Sequence, residues 1–360
     1  MVDCPKLRRC SNFLRATFVL ALLTAFTANG VADDAAPLRW RFTEGESLDY
    51  AVLQQLDMML KLNGAEVKIG TKMVFDITWT VDKVESNGTA SITQKITRMQ
   101  FDADSPFTGK VSVDSQSIRD GAELPPGPVR DIAKGTIEML IDQEFKLTVG
   151  ANGEVSDIVM PEKLDTELSK RGGGRNGQMG GLFGAEMSSD SVKQLIRRVV
   201  QRLPDDGVAA DSAEWSQSFV VKMGPIGTQT SNVTYRYAGK EDGLDRINVE
   251  TEVLLELSEN GPAEVDMEIL EQETDGHSFF DAKQGRLVSS QVVERLVLEG
   301  IFSENEIVRD GTSTLRVAQG NSEQFAANQP DADIKDADTT DANDADAKGT
   351  AADDAGNQAK

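Results

Sequence analysis

The sequence predicts a mainly β, β-rich α+β fold. Long antiparallel meander hairpins form a curved sheet or half-barrel that is duplicated within the chain and covered by two helices. Apolar and polar residues alternate with period two through most of the chain, Asn-Gly pairs separate the alternating segments, and only two segments have a helical period. An antiparallel sheet can bury one such apolar face while its other face contacts water.

The clearest alternation begins at Ser47. In SLDYAVLQQLDMMLKL the even-numbered positions are apolar apart from Gln54, and Asn63-Gly64 follows directly. Asn-Gly is the preferred pair of a tight two-residue turn, because both residues tolerate positive φ. Apolar residues alternate with polar and charged ones again from Val67 to Val81. We therefore expect two long strands joined as a hairpin.

Similar turn signals predict further hairpins. They lie at Asn87-Gly88, Asn152-Gly153, Asn260-Gly261 and Asp310-Gly311. Together with the alternating segments beside them, they indicate about ten strands. Two segments break the alternation and are expected to be helices. Residues 127–141 follow a pair of prolines, and residues 189–203 carry one apolar stripe between Ser189 or Ser191 as cap and Pro204.

Two pairs of short segments resemble each other and suggest an internal duplication. ITWTVDKVESNG resembles VTYRYAGKEDG, and TVGANGEVSDIV resembles FDAKQGRLVSSQV. The expected organisation is a signal peptide at 1–32, a first β-meander half with one helix at 33–170, a Gly-rich linker at 171–187, a helix plus a second β-meander half at 188–320, and a disordered Asp/Ala-rich acidic tail at 321–360.

The N-terminal segment has the features of a secretory signal peptide. Basic residues precede the apolar stretch ATFVLALLTAFTA, and Gly30-Val31-Ala32 supplies small residues for cleavage. We expect export by a Sec-type route to the periplasm or the extracellular space, with no membrane span in the mature chain. Cys4 and Cys10, the two cysteines of the sequence, lie in this segment. The mature protein is therefore expected to have neither a disulfide nor a cysteine nucleophile.

The segment RGGGRNGQMGGLFG at 171–184 has two alternative interpretations. A glycine-rich loop before a helix can hold a phosphate, but that template needs a preceding strand and a Gly-Lys pair at the helix start. The segment instead follows the polar stretch MPEKLDTELSK and contains no Gly-Lys pair. Its seven glycines in fourteen positions favour a flexible linker or hinge.

The charge of the chain narrows the range of partners. The formal net charge is −23, and the tail is rich in Asp. Nucleic acids and anionic membranes require basic surfaces, so neither is expected as a partner. The spacing of Asp344 and Asp346 resembles part of a calcium loop, but Lys348 and Ala355 stand where further ligands belong. No metal ligand is therefore expected.

The sequence offers no recognisable catalytic constellation. His277 is the only histidine, and the sequence contains neither a G-x-S-x-G elbow nor a Ser-x-x-Lys pair. Paired acidic residues carry little information in a chain that has 60 of them. We expect no catalytic residue and no cofactor, and therefore a protein that is not an enzyme.

The segments LRWRFTEGESLDY, FDITWTVDKVESNGTASITQKITRMQF and FFDAKQGRLVSS carry a resemblance that covers most of residues 38–318. They are similar to a family of exported bacterial proteins of unknown function that is well represented in planctomycetes. This resemblance implies no activity and no site residues. The meander, the helices and the FDAKQGRL turn are also similar in fold to periplasmic lipoprotein carriers, which are half-barrels closed by helices over an apolar cavity.

Two function classes remain open. The first is a non-catalytic binding protein of the cell envelope that holds a hydrophobic small molecule or lipid between the sheet and the helices. It is favoured because the long apolar strand faces have few helices to cover them. The candidate cavity residues are Leu56, Met58, Phe75, Trp79, Phe219 and Tyr235. The alternative is a structural or protein-interaction module that binds another envelope protein.

Overall fold

The computed structural model describes residues 37–106, 109–123, 127–172, 189–208, 212–222, 227–258, 265–302 and 305–323. The expected signal peptide at 1–32, the linker residues after Gly172 and the tail from residue 324 lie outside these ranges. No helix in the described ranges is long and apolar enough to cross a membrane.

Within the described ranges, the strands form one open antiparallel sheet, and four helices accompany it. This confirms the predicted β-rich fold with a curved sheet and few helices. The strands are β1 (Ser47–Leu62), β2 (Ala65–Val84), β3 (Ala90–Ser105), β4 (Gly109–Asp114), β5 (Glu144–Val149), β6 (Val155–Val159), β7 (Glu214–Lys222), β8 (Gly227–Glu241), β9 (Leu244–Leu257), β10 (Val265–Asp281), β11 (Arg286–Phe302) and β12 (Asn305–Gln319). The helices are α1 (Ser115–Arg119), α2 (Pro128–Leu140), α3 (Glu162–Gly172) and α4 (Ser189–Val199).

The strand order brings the two ends of the described chain together in the middle of the sheet. The order is β6-β5-β3-β2-β1-β12-β11-β10-β9-β8-β7, and β4 pairs with β3 outside this path. The chain starts in the middle at β1, reaches one edge at β6, enters the opposite edge at β7 and returns to the middle at β12. There β1 and β12 pair from Tyr50 opposite Gln319 to Leu62 opposite Ile307.

The segments that resemble each other in sequence occupy equivalent places in the two sides of the sheet. The first pair contains the β2–β3 and β8–β9 connections, and the second contains the β5–β6 and β10–β11 connections. In the strand order, β6-β5-β3-β2 on one side corresponds to β11-β10-β9-β8 on the other. Both sets of hairpins advance across the sheet in the same direction.

The predicted hairpin of β1 and β2 is confirmed. The two strands pair as far as Leu62 opposite Ala65, and the turn consists of Asn63 with φ 48° and Gly64 with φ 83°. Both angles lie in the left-handed region that Asn and Gly tolerate best, which explains why this pair connects the strands. The turns at Asn87-Gly88 and Asn152-Gly153 are confirmed as well, whereas Asn260-Gly261 lies outside the described residues.

The predicted turn at Asp310-Gly311 is wrong, although the hairpin to which it was assigned exists. Both residues lie inside β12 and pair with β1 on one side and β11 on the other. The Asp310 carboxylate accepts hydrogen bonds from Arg295 Nε at 3.0 Å and Nη2 at 2.9 Å. Since β11 and β12 pair as far as Phe302 opposite Asn305, the strand ladder continues well beyond the Asp-Gly pair.

Both predicted helices are present, as α2 and α4. However, α4 ends at Val199, before the Pro204 that was expected to stop it. Instead of continuing the helix, the residues after Val199 use their backbone groups to form hydrogen bonds with distant parts of the chain. The Gln201 carbonyl accepts a hydrogen bond from Trp40 Nε1 at 2.9 Å, and Leu203 N donates to the Asn152 carbonyl at 2.8 Å.

Helices α1 and α3 give weak signals in the sequence. Helix α1 has only five residues and is capped by Asp114, whose side chain accepts a hydrogen bond from Gln116 N at 2.9 Å. In α3, the buried residues Leu164 and Leu168 are set in an otherwise polar segment. Two apolar residues are too few to produce the recurring apolar stripe from which amphipathic helices are predicted.

The main hydrophobic core lies on the face of the sheet that packs against α2 and α4, which we call the inner face; the opposite side is the outer face. Trp40 and Trp79 are buried at its centre, with ring centroids 5.9 Å apart. Phe280 lies 5.6 Å from Trp40 and Tyr50 lies 5.0 Å from Trp79. The helices contribute Ile137, Leu140, Ile196 and Val199 to this core. These helices therefore cover the inner face beside the aromatic cluster.

Candidate functional site

Beside the last turn of α4, the inner face of the sheet borders a cavity of about 190 Å³. We call this cavity the trough; its walls come from strands β1, β2 and β8 to β12, with Arg198 from the last turn of α4. Strands β2 and β8 both line it through Thr71 and Gln229, although five other strands separate them in the sheet. The sheet must therefore curve around the trough.

The lining of the trough mixes apolar and polar side chains. Its apolar members are Leu56, Met73, Val253 and Leu296. Its uncharged polar members include Gln54, Thr71, Gln229, Thr251, Gln272 and Ser313. Such a lining can contact a hydrocarbon group and also supply hydrogen-bond donors and acceptors at selected points, as small-molecule pockets commonly do.

A second cavity of about 70 Å³ adjoins the trough under α4. The two cavities share the lining residues Gln54, Arg198, Thr251, Glu294 and Ser313. The second cavity is also lined by Phe219, Val249 and Tyr235, which do not line the trough. Its lining is therefore more apolar than that of the trough. A third cavity of about 30 Å³ lies between α4 and the strands and shares Leu195 with the second. The three cavities thus lie side by side between the trough and the core.

Arg309 occupies an unusual place in the trough. It lies on the inner face of β12, opposite Leu60 of β1 and Leu298 of β11, which are both buried. A side chain added at Gly311 would approach Arg309 Nε at 3.6 Å and Leu56 Cδ1 at 3.8 Å. The Arg309 side chain therefore extends along its own strand, over the position where Gly311 has no side chain.

The guanidinium of Arg309 forms no hydrogen bond or ion pair within the described part of the chain. Burial lowers its pKa, because the charged form loses solvation that no nearby anion replaces. An arginine side chain nevertheless remains a cation in proteins. The trough therefore contains a positive charge with five hydrogen-bond donors that the described residues do not satisfy.

Arg198 and Glu294 carry charge where the trough meets the second cavity. The Arg198 guanidinium lies 5.4 Å from the centroid of the Phe219 ring, which is the geometry of a cation–π contact. Glu294 lies on the inner face of β11, opposite Ser313. Nearby, burial raises the pKa of the Tyr235 hydroxyl, although Arg198 and Arg202 oppose this shift. Tyr235 is therefore neutral and contributes an aromatic wall.

The six residues named from the sequence occupy different places on the inner face. Leu56 lines the trough, Phe219 and Tyr235 line the second cavity, Phe75 lines the third, and Met58 and Trp79 are buried. Trp79 Nε1 donates a hydrogen bond to Gln94 Oε1 at 2.8 Å within the packed core.

Sequence reasoning missed the charged residues of the trough. A usable signal existed, because Ile307, Leu315 and Val317 alternate with polar residues and place Arg309 on the apolar face of the same strand. The interpretation of Asp310-Gly311 as a turn concealed this register, since a turn there would have ended the strand beside Arg309.

Another depression, of about 450 Å³, lies at the end of the sheet near the Asn152-Gly153 turn. Its polar groups are engaged with one another. Asn152 Nδ2 donates to Asp205 Oδ1 at 2.8 Å, and Arg39 Nη1 donates to the Pro204 carbonyl at 2.7 Å. These contacts attach the turn to the segment after α4, so the depression is explained by the packing of loops.

His277 lies on the outer face of β10, opposite Asn248 and Gln291, and its ring packs edge-on against Phe279 with centroids 5.5 Å apart. Among the described residues, no group of three or more His, Cys, Asp or Glu side chains has the geometry to hold a metal ion.

Comparison with solved structures gives distant similarities. A structure of lipid–protein interactions in lipovitellin matches with a TM-score of 0.40 and 12% identity, over 78% of this chain and 26% of that one, so the present chain spans about a quarter of its length. DynF from the dynemicin biosynthesis pathway of Micromonospora chersina matches with a TM-score of 0.22 and 11% identity, over 80% and 86% of the two chains. An outer membrane channel from Pseudomonas putida F1 matches with a TM-score of 0.22 and 7% identity, over 80% and 99%.

These TM-scores are too low to bear on function, and no curated protein matches the sequence. The model of a family of unknown function, DUF6263, matches residues 87–285, which is more than half of the 360-residue chain. The matched segment runs from the β2–β3 turn to the β10–β11 turn and includes α4 and strands β8 to β10 of the trough. The protein therefore belongs to the DUF6263 family.

Proposed function

We propose that this protein is a non-catalytic binding protein that holds a hydrophobic or amphipathic ligand in the trough. The observation that carries this proposal is the cavity of about 190 Å³ on the inner face of the sheet, beside the last turn of α4. This volume is many times the roughly 15 Å³ that one water molecule requires, although it is smaller than the roughly 300 Å³ at which most drug-sized pockets begin. A slender ligand fits this space better than a bulky one.

The second cavity supports the same proposal, because it extends the trough towards apolar side chains. Phe219, Tyr235 and Val249 line it. A hydrocarbon chain that leaves water for such a wall gains about 25 cal/mol for each Å² of apolar surface buried. We infer that the ligand places its apolar part against these residues and its more polar part in the trough.

The test is a comparison of two variants that introduce the same large side chain on opposite faces. Thr251→Trp fills the junction of the trough and the second cavity, because Thr251 lines both. Thr234→Trp places a Trp on the outer face, since Tyr235, the next residue, faces the inner side. The probe is the neutral dye N-phenyl-1-naphthylamine, whose fluorescence rises in apolar surroundings.

The proposal predicts that the unaltered protein and Thr234→Trp bind the dye equally, and that Thr251→Trp binds it at least tenfold more weakly. Far-ultraviolet circular dichroism checks that both variants are folded. If the unaltered protein does not bind the dye and native mass spectrometry of the purified protein detects no bound lipid, the proposal fails.

We also propose that the protein acts outside the cytoplasm, in the periplasm or extracellular space. The support is the sequence, in which basic residues, an apolar stretch and the small residues before Asp33 form a signal peptide pattern. The expected mature N-terminus is Asp33. Mass spectrometry of the protein from the exported fraction tests this, and an intact N-terminus in a cytoplasmic fraction would contradict it.

A second candidate function, binding to a protein partner, is favoured by an apolar area on the outer face. Val220 of β7 and Leu254 of β9 flank Thr230 in register, and the two apolar side chains are 49% and 44% exposed. Among the described strands β7 is the last of the sheet, so this area adjoins a strand edge, which is a common site of strand addition, although the Val220 carbonyl accepts a hydrogen bond from Gln194 Nε2 at 3.1 Å. Sedimentation over a range of concentrations, with Leu254→Ser as comparison, tests whether this area joins two copies.

A further inference from the structure

We propose that the trough recognises an anionic oxygen group, a carboxylate or a phosphate, that is joined to an apolar chain, and that Arg309 binds this group. The inference rests on the proposed binding function and names its ligand class. Arginine suits this role because its planar fork of donors matches the two oxygens of a carboxylate or phosphate.

The first argument is the contrast between Arg309 and two other arginines that are buried or half-buried, Arg286 and Arg98. Arg286 donates to both Glu46 oxygens at 2.7 Å, and Arg98 lies 2.9 Å from Asp114. In a chain with 60 acidic residues, an acidic partner is easily supplied. Within the described residues, Arg309 has none. A partly buried charge without a partner destabilises a fold, so its presence in a cavity is better explained by an anion that arrives from outside.

The second argument is the space around the guanidinium. Gly311 has no side chain, and Leu56 lies on the other side of the vacant position. The guanidinium therefore has an apolar wall and a backbone floor, while the rest of its surroundings is the trough itself. Ser313 and Gln272 line the same cavity and can donate further hydrogen bonds to an oxygen group bound at Arg309.

The third argument is the distribution of charge along the trough. Glu294 pairs with Ser313, two residues along β12 from Gly311, over which the Arg309 guanidinium lies. Glu294 also lines the second cavity, as Arg198 does, whereas Arg309 lines only the trough. The opposite charges of Arg198 and Glu294 offset each other at the entrance to the second cavity, whereas Arg309 has no acidic partner among the described residues. The anionic end of the ligand is thus directed to Arg309 and its apolar chain to Phe219 and Tyr235.

The experiment compares four compounds by isothermal titration calorimetry on the full chain. Decanoate and decyl phosphate carry both an anionic group and a chain, decanol carries the chain alone, and inorganic phosphate carries the anion alone. A hydrogen-bonded charge pair contributes enough to give roughly a ten- to hundredfold preference. We expect decanoate and decyl phosphate to bind that much more tightly than decanol, and inorganic phosphate to bind weakly.

Three variants test whether Arg309 causes the preference for decanoate and decyl phosphate over decanol. Arg309→Met keeps a long unbranched side chain without the charge. This variant should bind decanol as tightly as the unaltered protein does, and it should bind decanoate no more tightly than decanol. Arg309→Lys should restore part of the preference. Arg316→Met changes an arginine on the outer face of the same strand and should leave all affinities unchanged.

Arg309→Met also has an effect that separates a binding role from a structural one. Because it removes a partly buried charge that has no partner, it should raise the melting temperature of the unliganded protein. A lower melting temperature would indicate that Arg309 stabilises the fold, and the inference would be overturned.

The other outcomes distinguish this inference from the proposed function. If decanoate and decanol bind equally to the unaltered protein, the role of Arg309 is overturned while the proposed function stands. If inorganic phosphate binds as tightly as decyl phosphate, the ligand is a free anion and the apolar chain has no part in recognition. If none of the four compounds binds although the dye does, this inference is overturned while the proposed function stands; if the dye does not bind either and no bound lipid is detected, the proposed function itself fails.

Discussion

The guanidinium of Arg309 lies over Gly311, two residues further along strand β12. A methyl group at position 311 would lie 3.6 Å from Arg309 Nε and 3.8 Å from Leu56 Cδ1, which are ordinary contact distances. The glycine therefore leaves room for a methyl group beside the guanidinium and is not required by the backbone. A small residue in the middle of a long strand fits a ligand that approaches the strand closely.

Gly311→Ala should be tolerated, whereas Gly276→Ala should not. A methyl group fits at 311, and alanine reduces the freedom of the unfolded chain, so we expect the free energy of unfolding to rise by about 0.5 kcal/mol. At Gly276, on the same face of β10, a Cβ atom would lie 2.8 Å from the Val249 carbonyl oxygen. This clash should destabilise the fold by about 1–3 kcal/mol. Urea denaturation measures both, and equal effects would contradict the prediction.

Gln94→Met should destabilise the core. Gln94 is 3% exposed, and its Oε1 accepts the hydrogen bond of Trp79 Nε1 at 2.8 Å. Methionine has a similar shape but is a poor hydrogen-bond acceptor, so the buried indole N–H loses its partner. This loss should lower the free energy of unfolding by about 1–3 kcal/mol. Gln55→Met is the control, because the bond from Gln55 to Asp57 is exposed and its loss should change stability by about 0.5 kcal/mol or less. Guanidinium denaturation compares the two.

Arg286→Met should destabilise the attachment of β11 to the segment before β1. Arg286 forms two 2.7 Å bonds with Glu46, whose side chain is 22% exposed. Breaking such a pair costs about 3 kcal/mol, and somewhat less here because water reaches Glu46. Adding Glu46→Gln should recover part of the loss. Arg236→Met breaks an exposed pair with Glu214 and should cost about 1 kcal/mol at most. Denaturation of the two single variants and of the double variant measures the coupling between Arg286 and Glu46. A loss in the double variant that equals the sum of the two single losses would contradict the prediction.

Asp114→Asn should give a loss of stability that depends on pH. Burial disfavours the Asp114 carboxylate, but hydrogen bonds from Arg98, Gln116 and Gln100 outweigh burial and lower its pKa below 3.8. As the pH falls, the Asp114 carboxylate therefore becomes protonated at a higher pH in the unfolded chain than in the folded chain. The carboxylate contributes its stability above about pH 4, and that contribution is lost as the pH falls through the folded pKa.

We expect Asp114→Asn to cost about 1 kcal/mol at pH 7 and progressively less below pH 4, as measured by thermal unfolding across this range. Asparagine also caps helices well, so the change removes the charge and largely keeps the cap of α1. Asp104→Asn is the control, because Asp104 is an exposed residue whose nearest lysine nitrogen is 3.6 Å away. A loss at Asp114 that does not vary with pH would contradict the electrostatic argument.

Local sequence determined the strands and the face to which each residue belongs. In β1, period-two alternation places Tyr50 and Val52 on the inner face, where both are buried. The Asn63-Gly64 pair determined the first hairpin, since few other pairs accept two positive φ angles in succession. These properties follow from the backbone geometry of one or two neighbouring strands, so a short stretch of sequence is enough to reveal them.

Tertiary structure decided which strands are neighbours and which inner-face residues remain uncovered. Tyr50 pairs with Gln319 across the middle of the sheet, but alternation alone would suit almost any antiparallel partner, because every strand offers the same hydrogen-bonding groups. Likewise, Leu56 and Arg309 line one trough because β1 pairs with β12, and strands β2 and β8 to β11 with Arg198 of α4 complete its walls. The sequence by itself determined the two faces of the sheet; burial of each face depends on distant elements that local periodicity does not encode.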